Sequence, residues 1–256
     1  MTKAAETKAM VVLEPITFDL SVIAAGSSEL SDNLDQIDIR LPQIKIIHQA
    51  QMFEMPDGEK VAQFSGIILD FNRINSWWRE SFDTTGGGTP PDCFSLDGVR
   101  PSPYSNELQA DYCQECKQNA FGSEVTKKGE SGRGKACKNL KRVHILTEPN
   151  QLLPYRLTLP PSNLKAFDSY ISALVGRGYP WRMVQTLFKL KPTQNKDGIK
   201  YAELVLVAGG AMPAEQVALS KRIADKLMPV LRDKDIRFEE YDGEARVKEE
   251  KVVKAA

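Results

Sequence analysis

The chain has 256 residues, 41% hydrophobic and 27% charged, with 34 lysines and arginines balanced by 34 aspartates and glutamates. That length is enough for a real core, in one large domain or two small ones, and the composition is ordinary for a globular protein. Zero net charge excludes a global field towards nucleic acid or membrane, so a polyanion would have to meet a local patch, and no apolar run approaches the roughly 20 residues of a membrane span.

The first 36 residues are weakly patterned. They read as an N-terminal arm, disordered over its first ten residues, with a short helix at SSELSDNLDQ. The start, MTKAAETKAM, is polar and lacks a secretory apolar core, so we expect a cytoplasmic protein with reduced thiols. LPQIKIIHQAQMF then reads as a strand through Ile44, Ile46 and Ile47. PDGEK is a turn, and VAQFSGIILDFNRINSWW is a long strand completing a hairpin. From about residue 83 to 136 there is neither helical nor strand period. The stretch opens with TTGGGTPP and continues through FSLDGVRPSPYSN. A loop that long inside a compact domain requires something else to order it.

Pattern returns with the strands KRVHILTE and LLPYRLTLP. PPSNLKAFDSYISALVGRG predicts a helix with Ser162 as its cap and Leu164, Phe167, Ile171, Leu174 and Val175 on one face. WRMVQTLFKLK is a strand, NKDG a turn and IKYAELVLVAGG a strand. AMPAEQVALSKRIADKLMPVL is an amphipathic helix with Pro213 near its start. The expected fold is β-rich α+β: an OB-like barrel over residues 37–232, with a zinc-ribbon-like insertion at about 83–142 and a C-terminal helix. Residues 233–256 form a charged, flexible tail.

All four cysteines, Cys93, Cys113, Cys116 and Cys137, fall in or at the end of the unpatterned region. CQEC supplies two ligands from one turn, and Cys93 and Cys137 flank it at nearly equal distances. That pattern fits a closed structural zinc site of four thiolates, which leaves no coordination position open for chemistry. An iron–sulfur cluster uses the same ligands; His48 and His144 are substitute ligands that we leave out, because a lone histidine in a strand is more often simply packed or exposed. A redox CxxC would need a preceding strand and a following helix, which DYCQECKQNAFGS does not offer; four unrelated thiols are the remaining reading.

Between residues 117 and 142 stand eight cations and two anions, Glu124 and Glu130. Such a concentration suits phosphates, although charge runs commonly just keep a loop solvated. Aromatic residues lie beside cations elsewhere too. Phe71, Trp77, Trp78 and Phe82 accompany Arg73 and Arg79. Tyr179, Trp181 and Phe188 accompany Arg182, Lys189 and Lys191. Single strands are held by stacking bases on aromatics while cations follow the backbone. Aromatics in strands are also ordinary core, and Trp77 and Trp78 point to opposite faces, so we expect one of that pair to be exposed. No phosphate-loop, HExxH, GxSxG or deaminase signature is present, and GGG at 86–88 precedes no helix.

PDCFSLDGVRPSP, CQECKQNAFGS, GKACKNLKRVHIL and LPPSNLKAFDSYISAL span about residues 90–176. Through them the chain resembles the zinc-containing single-stranded-DNA-binding proteins of tailed phages and prophages. The resemblance implies an OB-type barrel with structural Zn2+ on Cys93, Cys113, Cys116 and Cys137. It also implies DNA contacts from neighbouring basic and aromatic residues, and action in phage-type replication or recombination inside a bacterial host. Many members end in a strongly acidic tail that recruits replication proteins; here VKEEKVVKAA is nearly balanced in charge. The expectation is thus a non-enzymatic single-stranded-DNA-binding protein. Its stacking candidates are Trp77, Trp78, Tyr155, Trp181 and Phe188. Its phosphate candidates are Arg73, Arg79, Lys135, Lys138, Lys141, Arg142 and Arg182. The rival readings are a zinc-ribbon protein-interaction module, such as a phage adaptor or inhibitor, and a metal-dependent nuclease.

Overall fold

A computed structural model describes Leu13, Ile16 and residues 41–80, 90–125, 129–148, 151–194 and 200–232. The expected helix at SSELSDNLDQ, most of the N-terminal arm, TTGGGT, the NKDG turn and the charged tail lie outside the described residues. In chain order the elements are β1 (Gln43–Ile47), β2 (Met52–Glu54), β3 (Lys60–Val61), β4 (Gln63–Trp77), β5 (Cys93–Ser95), β6 (Lys138–Leu146), β7 (Tyr155–Leu159), α1 (Pro161–Gly176), β8 (Val184–Gln194), β9 (Lys200–Ala211) and α2 (Ala214–Arg232). The architecture is β-rich α+β. No helix among the described residues is long and apolar enough to cross a membrane.

One sheet holds all nine strands in the order β3-β2-β1-β7-β6-β4-β8-β9, with β5 added to β4. All pairs are antiparallel except β1–β7. The hairpin expected between the first two strand segments forms only next to its turn, where Phe53 pairs with Val61 and Glu54 with Lys60. The first segment breaks after Ile47, where Gln51 takes a φ of 55° and donates its N–H to the Ile47 carbonyl at 2.8 Å. β1, β2 and β3 become a small meander, while the 15-residue β4 pairs with β6, β8 and β5 instead. PDGEK does turn between β2 and β3, with Gly58 at a φ of 90° that other residues rarely adopt.

The sheet curls. In a flat sheet β2 and β4, four places apart, would be separated by about 19 Å. Their rings Phe53 and Phe64 instead meet edge to face at 4.9 Å, and Phe64 stacks on Phe188 of β8 at 4.6 Å. The concave core gathers Ile44, Ile46 and Phe53 from one end of the strand order with Phe188, Ala202 and Leu204 from the other. His48 Nδ1 accepts the Ala202 N–H at 3.2 Å, so the two ends nearly meet.

Helix α1 closes the gap. Its start follows a proline pair: Pro160 is the cap and Pro161 the first helical residue, so Ser162 is not the cap. Phe167 and Leu174 are buried as expected, but Val175 is 53% exposed. The face turned to β9 is polar at one point, where Asn163 is fully buried. Its amide accepts the Leu204 N–H at 3.0 Å and donates to the Ala202 carbonyl at 3.4 Å, standing in for a neighbouring strand. Lys141 of β6 pairs with Asp168 of α1 and lies 5.4 Å and 5.0 Å from the centres of the Phe71 and Phe167 rings.

Helix α2 covers the convex face. Leu219, Ile223, Leu227 and Leu231 pack on Ile67, Leu69 and Leu146. At its end Arg232 grips the buried Asp70 carboxylate with two hydrogen bonds of 2.7 and 2.5 Å, a bidentate pair. Beside Asp70, His144 of β6 is fully buried and neither ring nitrogen has a hydrogen-bond partner among the described residues. Burial, and then the charges of Arg142, Arg156 and Arg232, push its pKa down to about 3.

His144 is therefore neutral in the folded state and protonates near pH 6.5 when unfolded. Stability from this group is complete above pH 6.5 and falls as the unfolded chain gains a proton that the folded chain refuses. Between pH 7 and pH 5 the loss is about 2 kcal/mol. Urea denaturation at both pH values should show it, and His144→Leu should remove that component of the pH dependence.

Candidate functional site

The cysteine segment is built from turns tied to the sheet. Cys93 opens β5, and pairing sets it opposite Trp77 of β4. Asp97 caps the next turn, accepting the N–H groups of Val99 and Arg100 at 2.7 and 3.1 Å. The Val99 carbonyl then receives the Cys113 N–H at 2.9 Å, which brings the knuckle back to β5. A single 3-10 turn, Lys117–Asn119, follows Cys116. The Cys137 N–H donates to the Gln118 carbonyl at 2.8 Å, closing the last flank onto the knuckle just before β6 begins. Between them a narrow ribbon is zipped by Gly122–Gly134 and Gly132–Glu124 backbone bonds of 2.9 and 2.6 Å. A side chain at Gly134 would displace the Glu124 carboxylate. A Cβ would stand 2.2 Å from Glu124 Oε2, and that carboxylate is held in place by Lys138 Nζ at 2.5 Å.

These turns bring all four cysteines to the wall of one cavity, shared with Trp77, Asn75 and Asn119. None is in a disulfide; Cys113 and Cys137 are buried, and Cys93 and Cys116 half-buried. Burial first, and then the neighbouring thiols of Cys116, Cys113 and Cys93, push the Cys137 pKa up to about 12; burial likewise raises that of Cys93. As the side chains stand, no three or more His, Cys, Asp or Glu among the described residues form a group close enough to hold an ion. The donor set nonetheless has the composition of a thiolate metal site: four free sulfurs, one cavity, and no competing carboxylate or imidazole in its lining. His144 is in the core and His48 holds β9, so neither belongs to this cavity.

An asparagine network stands beside the cavity. Asn119 donates to the Cys113 carbonyl at 2.7 Å, and its Oδ1 accepts from Lys135 at 3.1 Å and Asn139 at 3.0 Å. Asn139 of β6 also donates to Asn75 of β4 at 2.7 Å and accepts from Lys135 at 2.9 Å.

The expected contact residues separate sharply. Phe188 and Arg142 have no exposed surface, Lys141 is 4% exposed and Trp77 8%. Each is therefore removed as a contact. Phe188 is stacked in the core, Lys141 is pinned to α1 and Trp77 backs the thiol cavity, while Arg142 is a fully buried side chain of β6. The cause is that β6 is buried on both faces from Leu140 onward, so Lys141 and Arg142 are both interior.

Trp78, Tyr155, Trp181 and Arg182 are half-buried. Tyr155 donates to Glu148 at 3.2 Å, and Arg182 donates to the Leu69 carbonyl at 2.5 Å. Arg73 is exposed. Arg79 is exposed too, and ties the segment to β4 through Glu107 at 2.6 Å and, from its backbone N–H, Asp92 at 2.8 Å. Lys135 and Lys138 lie at the foot of the ribbon, and Lys127 and Lys128 fall outside the described residues.

Other aromatic residues reach solvent. Tyr104 is 79% exposed and Phe121 82%, with Tyr112 at 40%. Arg100 Cζ lies 4.6 Å from the Tyr112 ring centre, and Lys135 Nζ 4.9 Å from that of Phe121. Six of the eight large exposed hydrophobics among the described residues lie between Val99 and Val125. Sequence reasoning passed over these rings in favour of tryptophans in strands. The available signal was their setting, since an aromatic in a stretch without period has no regular core face to enter.

The division has a measurable consequence. Phe188→Ala should cost about 3–5 kcal/mol of stability, while Phe121→Ala should change it by no more than about 0.5 kcal/mol. Guanidinium denaturation of both variants checks this.

No family model, curated protein or solved structure matches the chain.

Proposed function

We infer that this chain is a non-enzymatic single-stranded-DNA-binding protein whose cysteine segment is ordered by a structural metal ion, with the curled sheet as an OB-like barrel. One observation carries the reading. Four free thiols line one cavity at the base of the segment that presents Tyr104, Tyr112 and Phe121 to solvent, two of them with a cation over the ring. Cys93, Cys113, Cys116 and Cys137 would hold Zn2+, which supplies the folding energy that a segment of turns cannot draw from a core. The surrounding residues do the binding. Exposed rings offer faces on which bases of any identity stack, each worth about 1–3 kcal/mol, and Arg100, Lys135 and Lys138 follow the backbone. Arg73 and Arg79 extend the cationic side along the end of β4. Phage-type replication or recombination, in a bacterial cytoplasm, is the setting that the resemblance supplies, with replication or recombination proteins as partners.

A second reading is favoured by a specific feature. Val99 and Leu108 are 56% and 60% exposed, and aliphatic side chains serve protein docking better than base stacking. In that case the segment is a rigid platform for a protein partner and ignores oligonucleotides.

Titration with poly(dT), followed by intrinsic fluorescence at two salt concentrations, separates these readings. Binding should weaken steeply with salt, because phosphate contacts release counterions. The double variant Tyr104→Ala/Phe121→Ala, at two largely exposed rings, should lose about 10-fold or more in affinity with its fold intact. Undetectable or salt-independent binding overturns the reading. Metal analysis of purified protein should find one zinc per chain, with iron marking a cluster instead, and Cys113→Ser should lose the metal.

A further inference from the structure

The asparagine network does more than fill space. Lysine has only donors, so Lys135 dictates that Asn119 and Asn139 both turn their oxygens towards it. Their amide nitrogens are thereby aimed away: Asn119 at the Cys113 carbonyl, Asn139 at Asn75 and at Asn119. Each donor and acceptor depends on its neighbour, and a network of that kind has one good arrangement. Its ends are functionally different places. One end is the knuckle backbone and the cavity wall, where Asn75 and Asn119 stand with the four thiols. The other is the Lys135 ammonium beneath the Phe121 ring, which faces solvent. Lys135 is two residues from Cys137 and Asn119 three from Cys116, whose carbonyl accepts the Asn119 N–H at 3.0 Å. Any shift of the knuckle therefore moves the groups that set Lys135.

We propose that Asn119 and Asn139 are positioning residues that couple the thiol site to the Phe121–Lys135 pair, so that metal occupancy and single-strand binding strengthen each other. The proposal rests on the single-strand reading above and assigns it a regulation: the metal-loaded protein is the binding-competent one. Thermodynamic linkage makes the coupling reciprocal, which gives a test independent of any activity.

Zinc affinity of the full chain is measured by competition with a chelator, with and without saturating (dT) oligonucleotide, and oligonucleotide affinity is measured with and without zinc. In the native sequence each ligand should raise the affinity of the other by the same factor, about five-fold or more. Asn139→Asp preserves shape but turns oxygen towards Asn75 and Asn119, and the mutual factor should fall below about two-fold. Lys135→Met removes the shared donor while keeping a chain under the ring, and should abolish the coupling in the same way if Asn139→Asp fails to fold. Coupling that survives in a folded variant overturns the proposal. A native chain that binds both ligands without mutual effect also overturns it, and leaves the single-strand reading standing. A native chain that binds zinc but no oligonucleotide overturns the single-strand reading and this proposal together.

Discussion

The backbone pairing of β4 with β6, running from Ile67–Leu146 to Ser76–Lys138, is the constraint on which the rest depends. One end of this ribbon carries the core residues Ile67 and Ile68. Its middle carries the buried polar set of Asp70 and His144. Its far end carries Asn75, Asn139 and, through β5, Cys93. A single pair of strands thus fixes the distance between hydrophobic core and thiol cavity. The cysteine segment can be made of turns because both its ends are anchored in the same two strands: β5 on β4 at its start, β6 at its finish.

The two faces of that ribbon are stabilised differently. The concave side is aromatic and aliphatic, closed by rings that meet across the curl. The convex side mixes α2 packing with the Asp70–Arg232 pair, which joins the last turn of α2 to the central strand. Removing Arg232 would leave the buried Asp70 carboxylate with the longer Arg182 contact of 3.7 Å. The buried cations explain how a chain of zero net charge can look locally basic in sequence and be less so at its surface. Two of the eight cations between residues 117 and 142, Lys141 and Arg142, are interior.

The legible parts of the sequence were those with period. β4, β6, β7, β8, β9 and both helices lie where alternation, apolar runs and proline punctuation place them. Pairing was less legible, because partner choice depends on curl: the run through Ile44 and Phe53 reads as continuous, yet it breaks at Gln51 to form the meander. In the candidate site, the four cysteines singled out by their spacing line one cavity. Aromatic type misled. Trp77 and Phe188 lie on strands covered by other elements, whereas Phe121 and Tyr104 lie on turns that no strand or helix among the described residues covers. Exposure is decided by the layer on top, which spacing along one chain does not encode.

Asn163 has a consequence beyond joining α1 to β9. A long terminal strand with unsatisfied amides is a template onto which another chain can dock in register, the route to intermolecular cross-β assembly. By occupying both the donor of Leu204 and the acceptor of Ala202, one side-chain amide blocks that template at its centre.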